Sequence, residues 1–140
     1  MKRTTTLLKS AWLLLLLPWL LSSCATAPPQ RYAMVTGLKP EKEAYYRELH
    51  ARPWPGVIAT IRDCHIRNFS IHRVEIDGKP YLFAYFEYVG NDLEADMAKM
   101  AADPETQRWW KETDPCQIPL PEARAKGKIW TMAEEVFYTP

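Results

Sequence analysis

Glycine is scarce in this 140-residue chain, with only five residues and no two of them spaced to cradle a phosphate. No strained Gly-x-Ser-x-Gly turn is present to expose a serine nucleophile. The three cysteines and three histidines show no paired-ligand spacing, so "CH" at Cys64-His65 stands alone and no metal site is expected. Charge of one sign is also missing. Lys and Arg total 18 against 17 Asp and Glu, which leaves no electrostatic footprint for nucleic acid. Long apolar runs are lacking too: "AWLLLLLPWLL", Ala11 to Leu21, falls well short of the roughly 20 residues that span a bilayer. No internal repeat or low-complexity stretch interrupts the rest.

What is present begins at the N-terminus. Lys2, Arg3 and Lys9 flank that apolar run, and "LSSC" closes it at Cys24, the pattern of an export signal. A large aliphatic residue, two small ones and a cysteine resemble the lipobox of bacterial lipoproteins. The resemblance implies removal of residues 1–23 and lipidation of Cys24; an ordinary signal peptide or an uncleaved anchor are the alternatives. Ala25, not Asp, follows the cysteine, which favours a periplasm-facing protein anchored in the outer membrane. The signal takes three basic residues with it, so the mature chain is slightly acidic. Residues 24–31, including "ATAPPQ", read as lipidated Cys and a stiff tether, and 32–140 as one small domain.

The domain alternates strands and helices. "YAMVTGL" (Tyr32–Leu38) predicts a first strand; Pro40, Glu41 and Glu43 suit the start of a helix to about Ala51. Pro53 and Pro55 interrupt it, and Val57, Ile58 and Ile61 resume helical spacing to Asp63. "IRNFSIHRVEI" and "YLFAYFEY" form a hairpin around Asp77-Gly78. Asn91 or Asp92 then caps a helix with a Leu93, Met97, Met100, Ala101 stripe, and Asp103-Pro104 starts another. A Pro-rich loop from about Thr113 to Lys128 precedes a closing strand in "EEVFY", Glu134–Tyr138. This β-α-β-β-α-β order predicts an α+β, ferredoxin-like fold with helices on one sheet face. The other face needs a cover, and a second copy supplies it, giving a dimeric α/β barrel.

Three constellations could carry chemistry. Tyr46 and His50 share a helix face at i and i+4, with Tyr45 and Leu49 the better core pair. His50 alone also fits a helix-end surface histidine, and His65 and His72 fit polar positions on a half-exposed strand. In "QRWWK", adjacent helical side chains point about 100° apart, so Trp109 and Trp110 cannot share one role. The second ring either seals an interface or offers a stacking platform to the C–H face of a sugar. Cys64 and Cys116 fall at opposite ends of the expected domain, too far apart to bond within one chain.

"YYRELHARPWP", "IRNFSIH", "ADPETQRWWK" and "EEVFY" together, in this order, resemble the L-rhamnose mutarotase family over about Tyr32 to Pro140. The resemblance implies a cofactor-free homodimer that interconverts α and β anomers of L-rhamnose or a related deoxy-hexose. It makes His50 the general acid, with Tyr46, Phe69, Trp109 and Trp110 around the monosaccharide; the membrane is met only through Cys24. The chain departs from the family where Asn68-Phe69 replaces the usual Asn-Tyr, in "ETDPCQIPLPEARAKGK", and in carrying an export signal. Those departures keep a second expectation open, a lipid-anchored, non-catalytic sugar-binding or dimerisation module. A cofactor-free oxygenase of the same barrel shape would need a conjugated substrate, to which no residue points.

Overall fold

The computed structural model describes residues 28–140, so the export signal, Cys24 and most of the tether lie outside the described residues. Strand β1 (Gln30–Leu38) starts earlier than Tyr32, because Gln30 and Arg31 already pair with Tyr88 and Glu87. A 3₁₀ turn at Pro40–Lys42 feeds α1 (Glu43–Ala51), and α2 (Pro55–Asp63) begins on a proline whose missing N–H would have had no helical partner. Strands β2 (Ile66–Ile76) and β3 (Lys79–Tyr88) meet at Asp77 and Gly78, with φ of 50° and 70°. Two positive φ values in a two-residue loop give the turn whose twist matches the strands.

Helices α3 (Leu93–Ala102) and α4 (Pro104–Thr113) are each started by an aspartate. Asp92 accepts from the Ala95 N–H at 3.0 Å, and Asp103 from the Thr106 N–H at 2.7 Å. Such caps are worth about 1 kcal/mol each, and here they turn the chain sharply between the two helices.

The antiparallel sheet has the order β2-β3-β1, with the place beyond β1 shared by two short strands. These are β4 (Gln117–Ile118), opposite Gly37 and Leu38, and β5 (Thr131–Ala133), opposite Ala33 to Val35. This is the ferredoxin-like strand order with its fourth strand split. Gly37 permits the split, since a Cβ there would stand 3.0 Å from both the Ile118 Cβ and its carbonyl oxygen. Between β4 and β5 lies a short helix, α5 (Pro121–Ala125), where the sequence suggested only loop.

Two expectations are corrected. The closing strand falls at Thr131–Ala133, not at Glu134–Tyr138. Strand propensity needs a partner ladder, and this segment finds none among the described residues. Side chains hold it instead: Arg31 donates to both Glu135 carboxylate oxygens at 2.7 and 2.8 Å and lies over the Tyr138 ring. Val136 and Phe137 are left 90% and 80% exposed. In α1, Tyr46, not Tyr45, is the core residue: Tyr46 is buried, while Tyr45 stands outside and donates to Glu112 at 2.6 Å. Rotating the helix by one residue puts the Tyr46/His50 stripe against the sheet.

Along β3, Leu82, Ala84, Phe86 and Tyr88 are buried on the helix side, and Tyr81, Phe83 and Tyr85 alternate onto the other side. The core has two clusters. One joins Cys64, Ile66, Phe86, Tyr88 and Met100; the other joins Leu38, Tyr46, Leu82 and Cys116. Cys64 and Cys116 therefore sit in different clusters, buried and free, as their expected separation required.

Candidate active site

A cavity of about 630 Å³ opens between the helices and the sheet, within the usual range for small-molecule sites. Ile66, Phe86 and Met100 from one core cluster and Tyr46 from the other line it, so it occupies the space where the two clusters would otherwise meet. Its walls are mainly apolar: Met34, Ile71 and Phe86 from the sheet, Val57 and Ile61 from α2, Met97 and Met100 from α3.

The structure brings Tyr46, His50, Phe69, Trp109 and Trp110 onto this one cavity. In β2 the register shifts between Arg67 and Ser70, with Asn68 at φ 49° and its amide donating to Glu87 at 2.7 Å. The bulge turns Phe69 toward the helix side, where it meets Phe86 edge-on at 6.1 Å.

His50 is fixed from three directions. Its ring stacks on Tyr46 at 4.1 Å, and the indole of Trp109 meets it edge-on at 5.1 Å. Its Nδ1 is 2.9 Å from the Tyr46 carbonyl oxygen. A carbonyl can only accept, so Nδ1 carries the hydrogen and Nε2 is left with the exchangeable lone pair. Burial lowers the His50 pKa from its ordinary 6.5, partly offset by that carbonyl. The resting imidazole is therefore neutral near pH 7. A neutral imidazole with Nε2 free is able to accept a proton there and give it back. Burial also raises the Tyr46 phenol far above its ordinary range, which suits Tyr46 to orienting and not to ionising.

Both tryptophans wall the cavity. Trp109 is buried and also packs edge-on against Trp54 at 5.3 Å, with the Arg108 guanidinium over Trp54. Trp110 is half-buried against the Met100 cluster. His65 and His72 are elsewhere. His72 lies on β2 beside Ser70; His65 sits in the turn before β2 at φ 57°, its Nδ1 2.8 Å from Asp96, which also accepts from Tyr88 at 2.6 Å. Among the described residues, no three potential metal ligands cluster together.

The stretch after the tryptophans supplies lining residues that sequence reasoning missed: Thr113, Asp114, Gln117, and the strap Lys128, Ile129, Trp130 and Met132. One signal was available. Asp114 follows Trp110 by one helical turn, and the 3₁₀ turn Asp114–Cys116 prolongs α4 past its expected end.

A family model described as L-rhamnose mutarotase matches residues 31–139. The chain belongs to the L-rhamnose mutarotase family. It is thus placed among isomerases that act on carbohydrates. Two curated L-rhamnose mutarotases are similar to it. That of Mesorhizobium japonicum is 27% identical over 84 residues, 60% of this chain and 75% of the relative. That of Sinorhizobium fredii is 27% identical over 101 residues, 65% and 92% of the two chains. Among solved structures, an L-rhamnose mutarotase from Formosa agariphila aligns with a TM-score of 0.58 at 24% identity, covering 79% of this chain and 99% of that one. A chain from Nitrosomonas europaea described as an antibiotic biosynthesis monooxygenase aligns at 0.50 and 13% identity, covering 81% and 97%. At these identities the solved structures speak for the fold alone, which ties the mutarotase family to the wider ferredoxin-like α+β barrels.

The tryptophans should separate on replacement. Trp109→Ala removes a buried ring that also positions His50, so stability should fall by about 3–5 kcal/mol and turnover with it. Trp110→Ala should cost less stability and mainly raise KM. Urea unfolding together with anomer-exchange kinetics checks this; equal, purely thermodynamic losses would make both rings packing residues only.

Proposed function

We propose that this chain is a mutarotase that interconverts the α and β anomers of L-rhamnose or a related deoxy-hexose by opening and closing the ring. One observation carries the reading: a neutral His50, locked in one tautomer, lines an aromatic cavity in a chain of the mutarotase family. Opening the hemiacetal removes the proton from the anomeric hydroxyl as the C1–O5 bond breaks, and a proton goes to O5. Rotation about C1–C2 presents the other carbonyl face, and the same transfers in reverse close the ring. A deoxy sugar suits the lining. Its methyl group and C–H faces would meet Trp109, Trp110, Phe69 and the methionines, while Tyr46, His50, Thr113, Asp114 and Gln117 offer polar partners to its hydroxyls.

The biological unit in this proposal is a homodimer. The sheet face opposite the helices carries Tyr81, Val35 and a 43%-exposed Phe83, an apolar surface that a second copy would cover. The proposed setting is the cell envelope, with Cys24 lipidated and the domain facing the periplasm from the outer membrane. The lipobox-like "LSSC" and the alanine after it support this.

His50→Gln keeps the ring's approximate volume but cannot cycle a proton. It should slow anomer exchange by about 10²–10⁴-fold with the fold intact; saturation-transfer NMR on L-rhamnose reads the rate, and parent-like exchange would make His50 structural. Sedimentation equilibrium should give twice the chain mass, and a monomer at working concentration would remove the dimer. Cys24→Ser should move the protein from the membrane fraction into soluble, active form, whereas continued membrane association would point to an uncleaved anchor.

A further inference from the structure

Ring opening needs two proton positions served in one event, at the anomeric hydroxyl and at O5, and a single histidine nitrogen reaches one of them at a time. Four titratable side chains line the cavity: Tyr46, His50, Asp114 and Lys128. Tyr46 is held too firmly in its protonated form to exchange. Lys128 is exposed on the strap before β5. Asp114 remains. It sits where α4 ends, its backbone N–H bonded to the Trp110 carbonyl, one helical turn beyond the tryptophan pair. It lines the same cavity as Tyr46, which stands one turn of α1 before His50. Among the described residues, no side-chain donor or cation pairs with the Asp114 carboxyl group, although the residue is half-buried. An unpartnered, partly desolvated carboxyl group in a ligand cavity is a costly arrangement unless a ligand completes it.

We propose that Asp114 is a second catalytic residue, exchanging a proton with the ring oxygen of the sugar while His50 exchanges one with the anomeric hydroxyl. The proposal rests on the mutarotase reading of the cavity. In the opening step, His50 Nε2 takes the proton from O1 and the O1–H electrons form the C1=O1 bond. The C1–O5 electrons pass to O5, which takes the proton of the Asp114 carboxylic acid. The open-chain aldehyde then lies between an imidazolium and a carboxylate. Closure on the other carbonyl face returns both protons, so no atom or charge is gained or lost over the cycle. Burial favours the neutral form of both groups, raising the carboxyl pKa and lowering that of the imidazole. The apolar walls thus shift the balance toward a proton on the carboxyl group and away from one on the imidazole, and the charge pair forms as the ring opens.

The test compares Asp114→Asn, Asp114→Glu and Asp114→Ala with the parent in saturation-transfer NMR across the L-rhamnose anomers. The Asn variant keeps the size and the backbone bond at the helix end. Its kcat should fall by about 10²–10⁴-fold with KM little changed. The Glu variant should recover part of the rate, and added sodium formate should restore turnover to the Ala variant. A raised KM with unchanged kcat, or no response to formate, would make Asp114 a binding or packing residue and overturn the proposal. If the variants fail to fold, the Asp114 carboxyl carbon in the parent decides. Its signal must shift when the exchanging sugar is added, and an unmoved signal overturns the assignment. A parent that exchanges no anomers defeats the mutarotase reading itself, whereas a parent and an Asp114→Asn variant that exchange equally defeat only this inference.

Discussion

The hydrogen bond from His50 Nδ1 to the Tyr46 carbonyl, 2.9 Å long and one helical turn back, is the constraint on which the site depends. It chooses the tautomer, and with the stacked phenol ring it removes the freedom an imidazole ordinarily has about two torsions. Everything else is arranged around that fixed ring. Trp109 closes its edge, Trp54 packs against Trp109 and carries the Arg108 guanidinium over its ring, and α4 is capped so that its first turn begins at Pro104. A side chain held this way loses little entropy on meeting a ligand.

The cavity has a cost to the fold. A small domain has limited apolar area to bury, and this one leaves about 630 Å³ open between its two core clusters. Fully burying a side chain such as Phe86 contributes roughly 1.5–3 kcal/mol, so a handful of well-filled positions must carry the domain. Among the described residues, Thr106 and Gln117, both buried cavity residues, each also keep one polar atom without a partner. Such deficits collect at functional sites, where ligand specificity outranks local stability.

Much of this was readable from the residues because the signals were local. Asp-Gly specifies its own turn, aspartate before helical spacing specifies its own cap, and β-branched runs specified β2 to the residue. The rotation of α1 was not local. Tyr45 and Tyr46 are chemically the same residue, and only the sheet beneath decides which is buried. The stretch 113–131 failed for a related reason: β4 and β5 are so short that their existence depends on β1 and on the missing side chain of Gly37. Asp114 was hidden there too, inside the Pro-rich stretch expected to be loop, although Pro115 sits in a 3₁₀ turn that continues from α4 and Asp114 lines the cavity.

The position of β1 has a mechanical consequence. Like β3 it is an inner strand of the sheet, hydrogen-bonded to β3 from Gln30 to Gly37 on one side and to β4 and β5 on the other. A tension applied to the chain before Gln30 acts along this strand, perpendicular to its ladder bonds. It loads many bonds together in shear and does not peel them one at a time. Arg31, near the point of load, is also clamped to Glu135 and Tyr138, so the same pull is shared with the C-terminal segment. A domain hung from its N-terminal end would thus be held by its strongest grip, and the helices that shape the cavity would stay out of the line of force.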